Sequence, residues 1–127
     1  MKGFSQFFLL ACSTTGAALA DSIDFNSQIK SLLSNRCIAC HGPDEEHREA
    51  GLRLDTFEGA TRDLDGYSAI VPGNPEESEI LFRVTLEKGD SELMPPKGRG
   101  ERLSEEEVAL LREWIRQGAK FDKHWSY

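Results

Sequence analysis

The sequence predicts an all-α protein in which a few short helices are joined by irregular loops. Three observations lead to this prediction. Apolar residues recur at helical spacing between positions 25 and 33, Asn74-Pro75 has the residues of a helix start, and Ser104 opens a capping box ahead of a third apolar stripe. The connecting stretch 43–73 is polar and broken by turn-forming residues, and residues 21–127 have the length of one domain.

The first predicted helix begins after Asp24, a residue type that caps helix N-termini well. Its apolar face repeats at i, i+4, i+7 and i+8 and consists of Phe25, Ile29, Leu32 and Leu33. This pattern predicts a helix with one buried face, and the helix leads the chain directly into Cys37.

Residues 37–41 have the spacing C-x-x-C-H, which is typical of covalent attachment of c-type haem. Cys37 and Cys40 can reach the two vinyl groups of one porphyrin, and His41 then faces the iron as the proximal ligand. The motif therefore predicts one haem c, bound through two thioethers. The free ring N–H of His41 needs an acceptor, and we expect the Pro43 carbonyl to provide it.

Two alternatives use the same cysteines. A redox dithiol would be expected within a βαβ pattern, and no such pattern is visible in the sequence. A zinc site needs four ligands, for which the rest of the chain supplies only Cys12, His47 and His124, none at finger-like spacing.

Residues 1–20 resemble a secretory signal peptide, with Lys2 in the basic region and Ala18-Leu19-Ala20 as the cleavage site before Asp21. This predicts an exported protein, periplasmic or in the cell envelope, whose mature domain spans 21–127. The apolar run is too short to span a bilayer. A lipid anchor at Cys12 is a less favoured alternative, because the lipobox-like residues before it lie very early in the chain.

The charge of the chain is strongly negative. Residues 1–127 contain 15 Lys and Arg, of which Lys2 is the only one before residue 21, and 22 Asp and Glu, none of them before residue 21. Residues 21–127 thus have a formal net charge of -8, and nucleic acid is excluded as a natural partner. A redox partner with a basic docking surface fits this charge better.

Local signals in the stretch 43–73 are weaker. Leu52-Arg53-Leu54 alternates like a short strand, and Asp55 could cap a helical turn at 56–60. The sequence Ile-Val-Pro-Gly at 70–73 predicts an apolar segment that ends in a turn.

Several basic side chains of this stretch are candidate site residues. Arg48, Arg53 and Arg62 could pair with haem propionates, because a guanidinium fork matches a carboxylate. His47 lies in a run of charged residues, and we expect it to be exposed rather than a ligand.

Met94 is the candidate for the distal iron ligand. It is the only methionine after Met1, and it lies far along the chain from His41, so that a loop can reach the opposite face of the haem. Met94, Pro95 and Pro96 form a segment that we call the strap. The two prolines restrict its backbone and thereby lower the entropy cost of ligation by a weak thioether. Met94 as a core filler is the alternative.

The last predicted helix is the best specified. Ser104 and Glu107 form a capping box, and Gly118 is a natural stop. The stripe that we expect to pack against the first helix consists of Val108, Leu110, Leu111, Trp114 and Ile115.

Several motifs together resemble the planctomycete-type cytochrome c domain, and they cover nearly all of residues 21–127. They are Asp24-Phe25-Asn26, the C-x-x-C-H-G-P-D run at 37–44, the H-R-E-A-G-L-R-L-D run at 47–55, the I-V-P-G run at 70–73, Met94-Pro95-Pro96 and His124-Trp125. The resemblance implies a small all-α, class I-like fold around one haem. It also implies that Cys37, Cys40, His41 and Met94 are the cofactor-binding residues, with His41 and Met94 on the iron.

The resulting hypothesis is an exported monohaem cytochrome c domain that transfers electrons and is not itself an enzyme. One alternative is a haem enzyme or ligand sensor, such as a small peroxidase, with a labile sixth position. Another is the N-terminal electron-transfer module of a larger exported enzyme, since members of the resembling family usually carry this domain at the front of larger proteins. The role of Met94 distinguishes the first two hypotheses.

Overall fold

The computed structural model describes residues 21–122 and consists of helical segments and loops. The elements are a π-helical turn at Phe25–Ile29 that runs directly into α1 at Lys30–Arg36, α2 at Phe57–Thr61, a 3₁₀ turn at Pro75–Glu77, α3 at Glu79–Val84 and α4 at Glu105–Arg116. Residues 21–122 contain no β-strand, and Ser68 and Ser78 form one isolated bridge there. The all-α prediction is therefore confirmed for the described part of the chain.

The first helix starts and packs as its sequence predicts. The Asp24 carboxylate accepts from the Ser27 amide at 2.8 Å and from the Ser27 hydroxyl at 2.7 Å, which satisfies one of the free amides of the first turn. The whole predicted apolar face is buried: Phe25, Ile29, Leu32 and Leu33. The helix ends at Arg36 and thereby places Cys37 at the edge of the core.

Helix α4 lies against this first helix. Its N-terminus has the predicted capping box, in which Ser104 Oγ accepts from the Glu107 amide at 3.1 Å and Glu107 Oε1 accepts from the Ser104 amide at 3.0 Å. Gly118, at φ 108°, ends the helix in the left-handed region that favours glycine. Leu111, Trp114 and Ile115 are buried, whereas Val108 and Leu110 are partly buried at the edge of the same cluster.

Aromatic rings close one end of the core. The Phe25 ring lies 5.9 Å from Trp114 and 4.9 Å from Phe121, and Phe121 packs edge-on against Trp114 at 5.2 Å. Such tilted and edge-on pairs are the arrangements that aromatic quadrupoles favour. The rings therefore join the start of the first helix to the segment that follows α4.

Two local predictions in the stretch 43–73 are wrong. Leu52-Arg53-Leu54 forms no strand, because residues 21–122 offer it no partner strand, and the Leu54 amide donates to the His41 carbonyl at 2.7 Å instead. Asp55 does not cap α2. The cap is Thr56, whose Oγ1 accepts from the Gly59 amide at 3.0 Å. The buried Asp55 carboxylate pairs with the guanidinium of Arg53 at 2.9 and 2.5 Å.

The helix predicted to start at Asn74 is divided into two segments. Pro75 occupies the first position of a short 3₁₀ turn as expected, but Asn74 makes no side-chain cap, and the chain turns extended at Ser78 before α3 begins. The buried Ser78 hydroxyl accepts from the Val71 amide and donates to the Asn74 carbonyl, both at 2.9 Å. These hydrogen bonds connect the predicted apolar segment at 70–73 to the start of α3. Ile70 of this segment is fully buried.

Candidate functional site

The described part of the chain contains a cavity of about 540 Å³ next to the first helix. Cys37, Cys40 and His41 line one part of its wall, and Met94 lines another. Apolar side chains from α3 and from the loops complete the wall: Leu52, Leu54, Ala69, Ile80 and Val84. The structure therefore brings together all four residues that the sequence analysis selected.

The C-x-x-C-H segment is a compact turn at the end of α1. The Cys37 amide still donates to the Leu33 carbonyl at 2.8 Å, so that Cys37 is the C-cap of α1. The His41 amide then donates back to the Cys37 carbonyl at 2.9 Å, and the Cys40 amide donates to the same carbonyl at 3.3 Å. Because this turn is tight, both thiols and the imidazole line the same cavity.

His41 is half-buried, and its environment favours the neutral imidazole. Burial lowers the pKa of His41, and the neighbouring Glu49 carbonyl opposes this effect in part. A neutral imidazole can serve as a metal ligand. The Nδ1 atom is buried without a hydrogen-bond partner in the described residues.

The expected contact between the Pro43 carbonyl and His41 is absent from the described structure. The Pro43 carbonyl accepts from Arg48 Nη2 at 3.0 Å, and the Gly42 carbonyl accepts from Arg48 Nε at 2.9 Å. The Pro43 carbonyl therefore accepts from Arg48 and not, as predicted, from the imidazole of His41.

The Cys37 thiol does not have the low pKa expected of the attacking thiol in a redox dithiol. Cys37 and Cys40 are both free thiols in the structure. Burial raises the pKa of the Cys37 thiol to about 12, whereas the attacking thiol of a redox pair has a pKa well below its ordinary value. Residues 21–122 also contain no group of three or more His, Cys, Asp or Glu side chains placed to hold a metal ion, and Cys12 and His124 of the zinc alternative lie outside these residues.

Met94 is half-buried and packs against the edge of the core. Its amide donates to the Arg83 carbonyl at 3.1 Å, which joins the Met94-Pro95-Pro96 strap to the end of α3. Gly100 lies so close to this strap that a Cβ there would stand 3.2 Å from Pro95 Cβ. The strap is therefore held from both sides at the point where Met94 enters the cavity wall.

The three arginines proposed for haem propionates have different roles in the structure. Arg62 lines the cavity, and its guanidinium donates to the Gly51 carbonyl at 3.2 Å. Arg48 and Arg53 are not part of the wall, because their guanidinium groups are engaged by two carbonyls and by Asp55 respectively. Of the three, Arg62 alone is placed to meet a carboxylate of a bound ligand.

Three further arginines of the cavity wall were not predicted from the sequence: Arg36, Arg83 and Arg99. Arg36 directly precedes Cys37, and Arg99 lies shortly after the strap. Their nearness to these motifs in the sequence is the signal by which they could have been identified as site residues. Arg99 Nη1 lies 3.7 Å from Cys40 Sγ and 3.7 Å from Glu49 Oε1. This guanidinium therefore stands between the strap and the C-x-x-C-H motif.

His47 is exposed, as predicted, and lies outside the cavity wall. Its Nδ1 pairs with Asp44 Oδ2 at 2.7 Å, and 71% of its side chain is accessible. It is therefore not a ligand from within the cavity.

The residues present fit a covalently bound porphyrin. The cavity has a largely apolar wall and a volume within the range of about 300–1,000 Å³ that is usual for cofactor sites. Two thiols, a half-buried imidazole and a thioether are the groups present here, and such groups attach and ligate haem c. Arginines at the wall supply counter-charges for its carboxylates.

Several predictions fall on residues that the structure does not describe. The signal peptide at 1–20, the possible lipid anchor at Cys12 and the His124-Trp125 pair lie outside residues 21–122. Among the described helices, none is both long enough and apolar enough to span a membrane.

Comparison with known proteins yields one match. No curated protein and no solved structure matches the chain. Residues 37–98 match the family model of planctomycete cytochrome C, and this match begins at Cys37 and includes Met94. In this segment the chain is similar to planctomycete cytochrome C.

Proposed function

We propose that this chain is an exported monohaem cytochrome c domain that transfers electrons. In this proposal the haem is attached to Cys37 and Cys40, and the iron is ligated by His41 and Met94. The observation that carries the proposal is that one cavity is lined by all four of these residues, although Met94 comes from a distant part of the chain. The similarity of residues 37–98 to planctomycete cytochrome C independently supports a haem c and a redox partner.

The side chains at the cavity support a carrier role rather than substrate chemistry. Haem supplies a one-electron Fe(III)/Fe(II) couple when it is bound. His41 offers a neutral imidazole, and Met94 offers a soft thioether from the strap that is joined to α3. With both side chains engaged on the metal, the chain leaves no open position for oxygen or peroxide.

The proposed location and partner rest on sequence and charge. Residues 1–20 have the pattern of a secretory signal, which supports export to the periplasm or the cell envelope. The net charge of -8 over 21–127 supports a redox partner with a basic docking surface.

A second candidate is a haem enzyme or ligand sensor with a labile sixth position. It is favoured by the exposure of Met94, which is only half-buried and lies on a loop rather than a helix. A thioether is a weak ligand, so that its dissociation would leave the position accessible. The same domain could also serve as the electron-transfer module of a larger exported enzyme.

The experiment is to produce the full chain with the cytochrome c maturation machinery and to record its intact mass and visible spectrum. We expect one haem that stays with the protein after acid-acetone extraction, and a chain that starts at Asp21. The control is the double variant Cys37→Ala/Cys40→Ala, which should remain colourless after extraction. If the unmutated protein carries no haem and is colourless, the proposal is contradicted. If the mass shows diacylglycerol on Cys12, the chain is lipid-anchored there and is not cleaved before Asp21.

A further inference from the structure

Four successive carbonyls begin at the second cysteine, Cys40, and each of them accepts a hydrogen bond from the segment 48–54. The first two are held by backbone amides. The Cys40 carbonyl accepts from the Glu49 amide, and the His41 carbonyl accepts from the Leu54 amide, both at 2.7 Å. These are short hydrogen bonds between segments that are not in a common helix or sheet.

The next two carbonyls are held by one side chain. Arg48 Nε donates to the Gly42 carbonyl at 2.9 Å, and Arg48 Nη2 donates to the Pro43 carbonyl at 3.0 Å. A guanidinium presents its donors in a rigid planar fork, so that a single residue can hold two neighbouring acceptors in a fixed relation. We call segment 48–54, with these four hydrogen bonds, the carbonyl clamp.

The clamp is shaped by a tight reversal of the chain. Ala50 and Gly51 have φ angles of 54° and 64°, in the left-handed region, and the Leu52 amide donates to the Glu49 carbonyl at 3.1 Å. This reversal lets residues 48 and 54 approach the same turn from its two ends. On the opposite side, buried Gly42 lies directly on the Ile38 carbonyl, and a Cβ at position 42 would stand 2.7 Å from Ile38 Cγ2.

The backbone of His41 is therefore fixed from both directions, whereas the hydrogen bonding of its ring is incomplete among the described residues. The His41 carbonyl is bound by Leu54, and the carbonyls on either side of it are bound by Glu49 and Arg48. The buried Nδ1 makes no hydrogen bond in the described part of the chain. The orientation of the imidazole thus depends on the backbone that carries it.

We propose that Arg48 is a positioning residue for His41. It is not a residue that contacts the haem, because it does not line the cavity and its donors face two backbone carbonyls. The guanidinium fixes the carbonyls of residues 42 and 43, and this fixes the turn from which the imidazole projects. The inference rests on the proposed function, in which His41 is the proximal iron ligand.

The test compares Arg48→Ala and Arg48→Lys with Arg102→Ala in the haem-loaded protein. Arg102 is a matched control, because its exposed guanidinium also donates to a loop carbonyl, that of Leu86 at 2.6 Å, away from the cavity wall. The measurements are the electron paramagnetic resonance g-values of the oxidised protein and the hydrogen exchange of the Glu49 and Leu54 amides.

In Arg48→Ala we expect shifted g-values and at least about tenfold faster exchange of both amides, because hydrogen bonds from a charged donor are lost. Arg48→Lys should shift the g-values less, since an ammonium group is a single point charge and cannot reproduce the fork. Arg102→Ala should leave the g-values and both amides unchanged.

Unshifted g-values in both Arg48 variants would overturn the proposal and leave Arg48 as a residue that only stabilises the loop. If Arg48→Ala gives no folded protein, Arg48→Lys decides alone, by the same criterion. Failure of the proposed function is separate: in that case the unmutated protein carries no covalent haem.

Discussion

Arg36 donates through two nitrogens to the two carboxylate oxygens of Glu107, at 3.2 Å each. The same carboxylate completes the capping box of α4 through the Ser104 amide. Because Arg36 directly precedes Cys37, one acidic side chain connects the start of α4 to the turn that carries the predicted haem ligands. Packing of the two longest helical segments and the shape of the cavity wall are therefore coupled.

The first prediction concerns this connection. Ser104→Ala removes one side-chain acceptor from the capping box and should lower the free energy of unfolding by about 1 kcal/mol. Glu107→Ala removes the other acceptor and also leaves Arg36 without this partner, so that the loss should be larger. Urea unfolding of both variants measures the difference. Equal losses would show that Arg36 gains nothing from Glu107.

The second prediction concerns the pH dependence of stability. The hydrogen bond from Arg53 holds the pKa of Asp55 below its ordinary value of 3.8, although burial acts in the opposite direction. A carboxyl whose pKa is lowered by folding stabilises the folded state above its unfolded pKa, and this contribution is lost as the pH falls through the folded pKa. Acid should therefore remove the contribution of Asp55 below about pH 4.

Asp55→Asn tests this sign. At pH 7 the variant should unfold at lower urea than the unmutated protein, and the difference should shrink as the pH falls to 2, because the protonated carboxyl then resembles the amide. The exposed Glu77→Gln serves as the control and should show no such convergence. A difference that stays constant from pH 7 to pH 2 would mean that the Arg53–Asp55 pair contributes nothing through its charge.

The parts of the fold that could be predicted from the sequence are those fixed by local chemistry. Asp24, Ser104 and Gly118 cap or stop helices through contacts within a few residues, and the apolar faces of the first and last helices follow from periodicity alone. The shared cavity wall of His41 and Met94 could be anticipated because a motif and a lone methionine point to one cofactor.

The parts that could not be predicted depend on distant contacts. Ser78 interrupts a helix because its hydroxyl binds the loop at 71–74, a partner that periodicity cannot indicate. Leu54 lacks a partner strand and donates to His41 instead. Arg48 has a guanidinium group that could pair with a haem propionate. The chain reversal at Ala50 and Gly51 instead directs this group to two backbone carbonyls.

The third prediction concerns electron exchange with a partner. With a net charge of -8 over residues 21–127, rates with a basic redox protein should fall as salt rises, because the screening length shrinks from about 30 Å at 0.01 M to about 8 Å at 0.15 M. Stopped-flow measurements over a salt series, with an acidic redox protein as the control, test this. Rates with the basic partner that stay flat or rise would contradict steering by the net negative charge.

The fourth prediction separates loss of packing from loss of haem geometry. Gly42→Ala and Gly59→Ala each add a methyl group where none fits: position 42 faces Ile38, and a Cβ at position 59 would lie 2.7 Å from Arg53 Cβ. Each should lower the free energy of unfolding by about 1–3 kcal/mol. Only Gly42→Ala should also change the absorption spectrum of the haem-loaded protein, because Gly42 directly follows His41 whereas Gly59 belongs to α2. An identical spectrum in both variants would show that the turn after His41 tolerates displacement.

The fifth prediction concerns Met94. A thioether raises the reduction potential relative to a nitrogen ligand, because soft sulfur favours Fe(II). In the haem-loaded Met94→Ala variant the potential should fall, the near-infrared band of the thioether–iron bond should disappear, and carbon monoxide should bind. The accompanying loss of stability should be about 2 kcal/mol, at the low end for a large-to-small change, because the side chain is half-buried.

Leu93→Ala is the matched control for this change. Leu93 is the preceding residue and is also half-buried, but it does not line the cavity, so its truncation should retain the band and exclude carbon monoxide. His47 is paired with Asp44 outside the cavity, and a second change, His47→Gln, should therefore not alter the Met94→Ala spectrum. If the unmutated protein already binds carbon monoxide rapidly and lacks the band, Met94 is not the sixth ligand, and the haem enzyme or ligand sensor replaces the electron carrier.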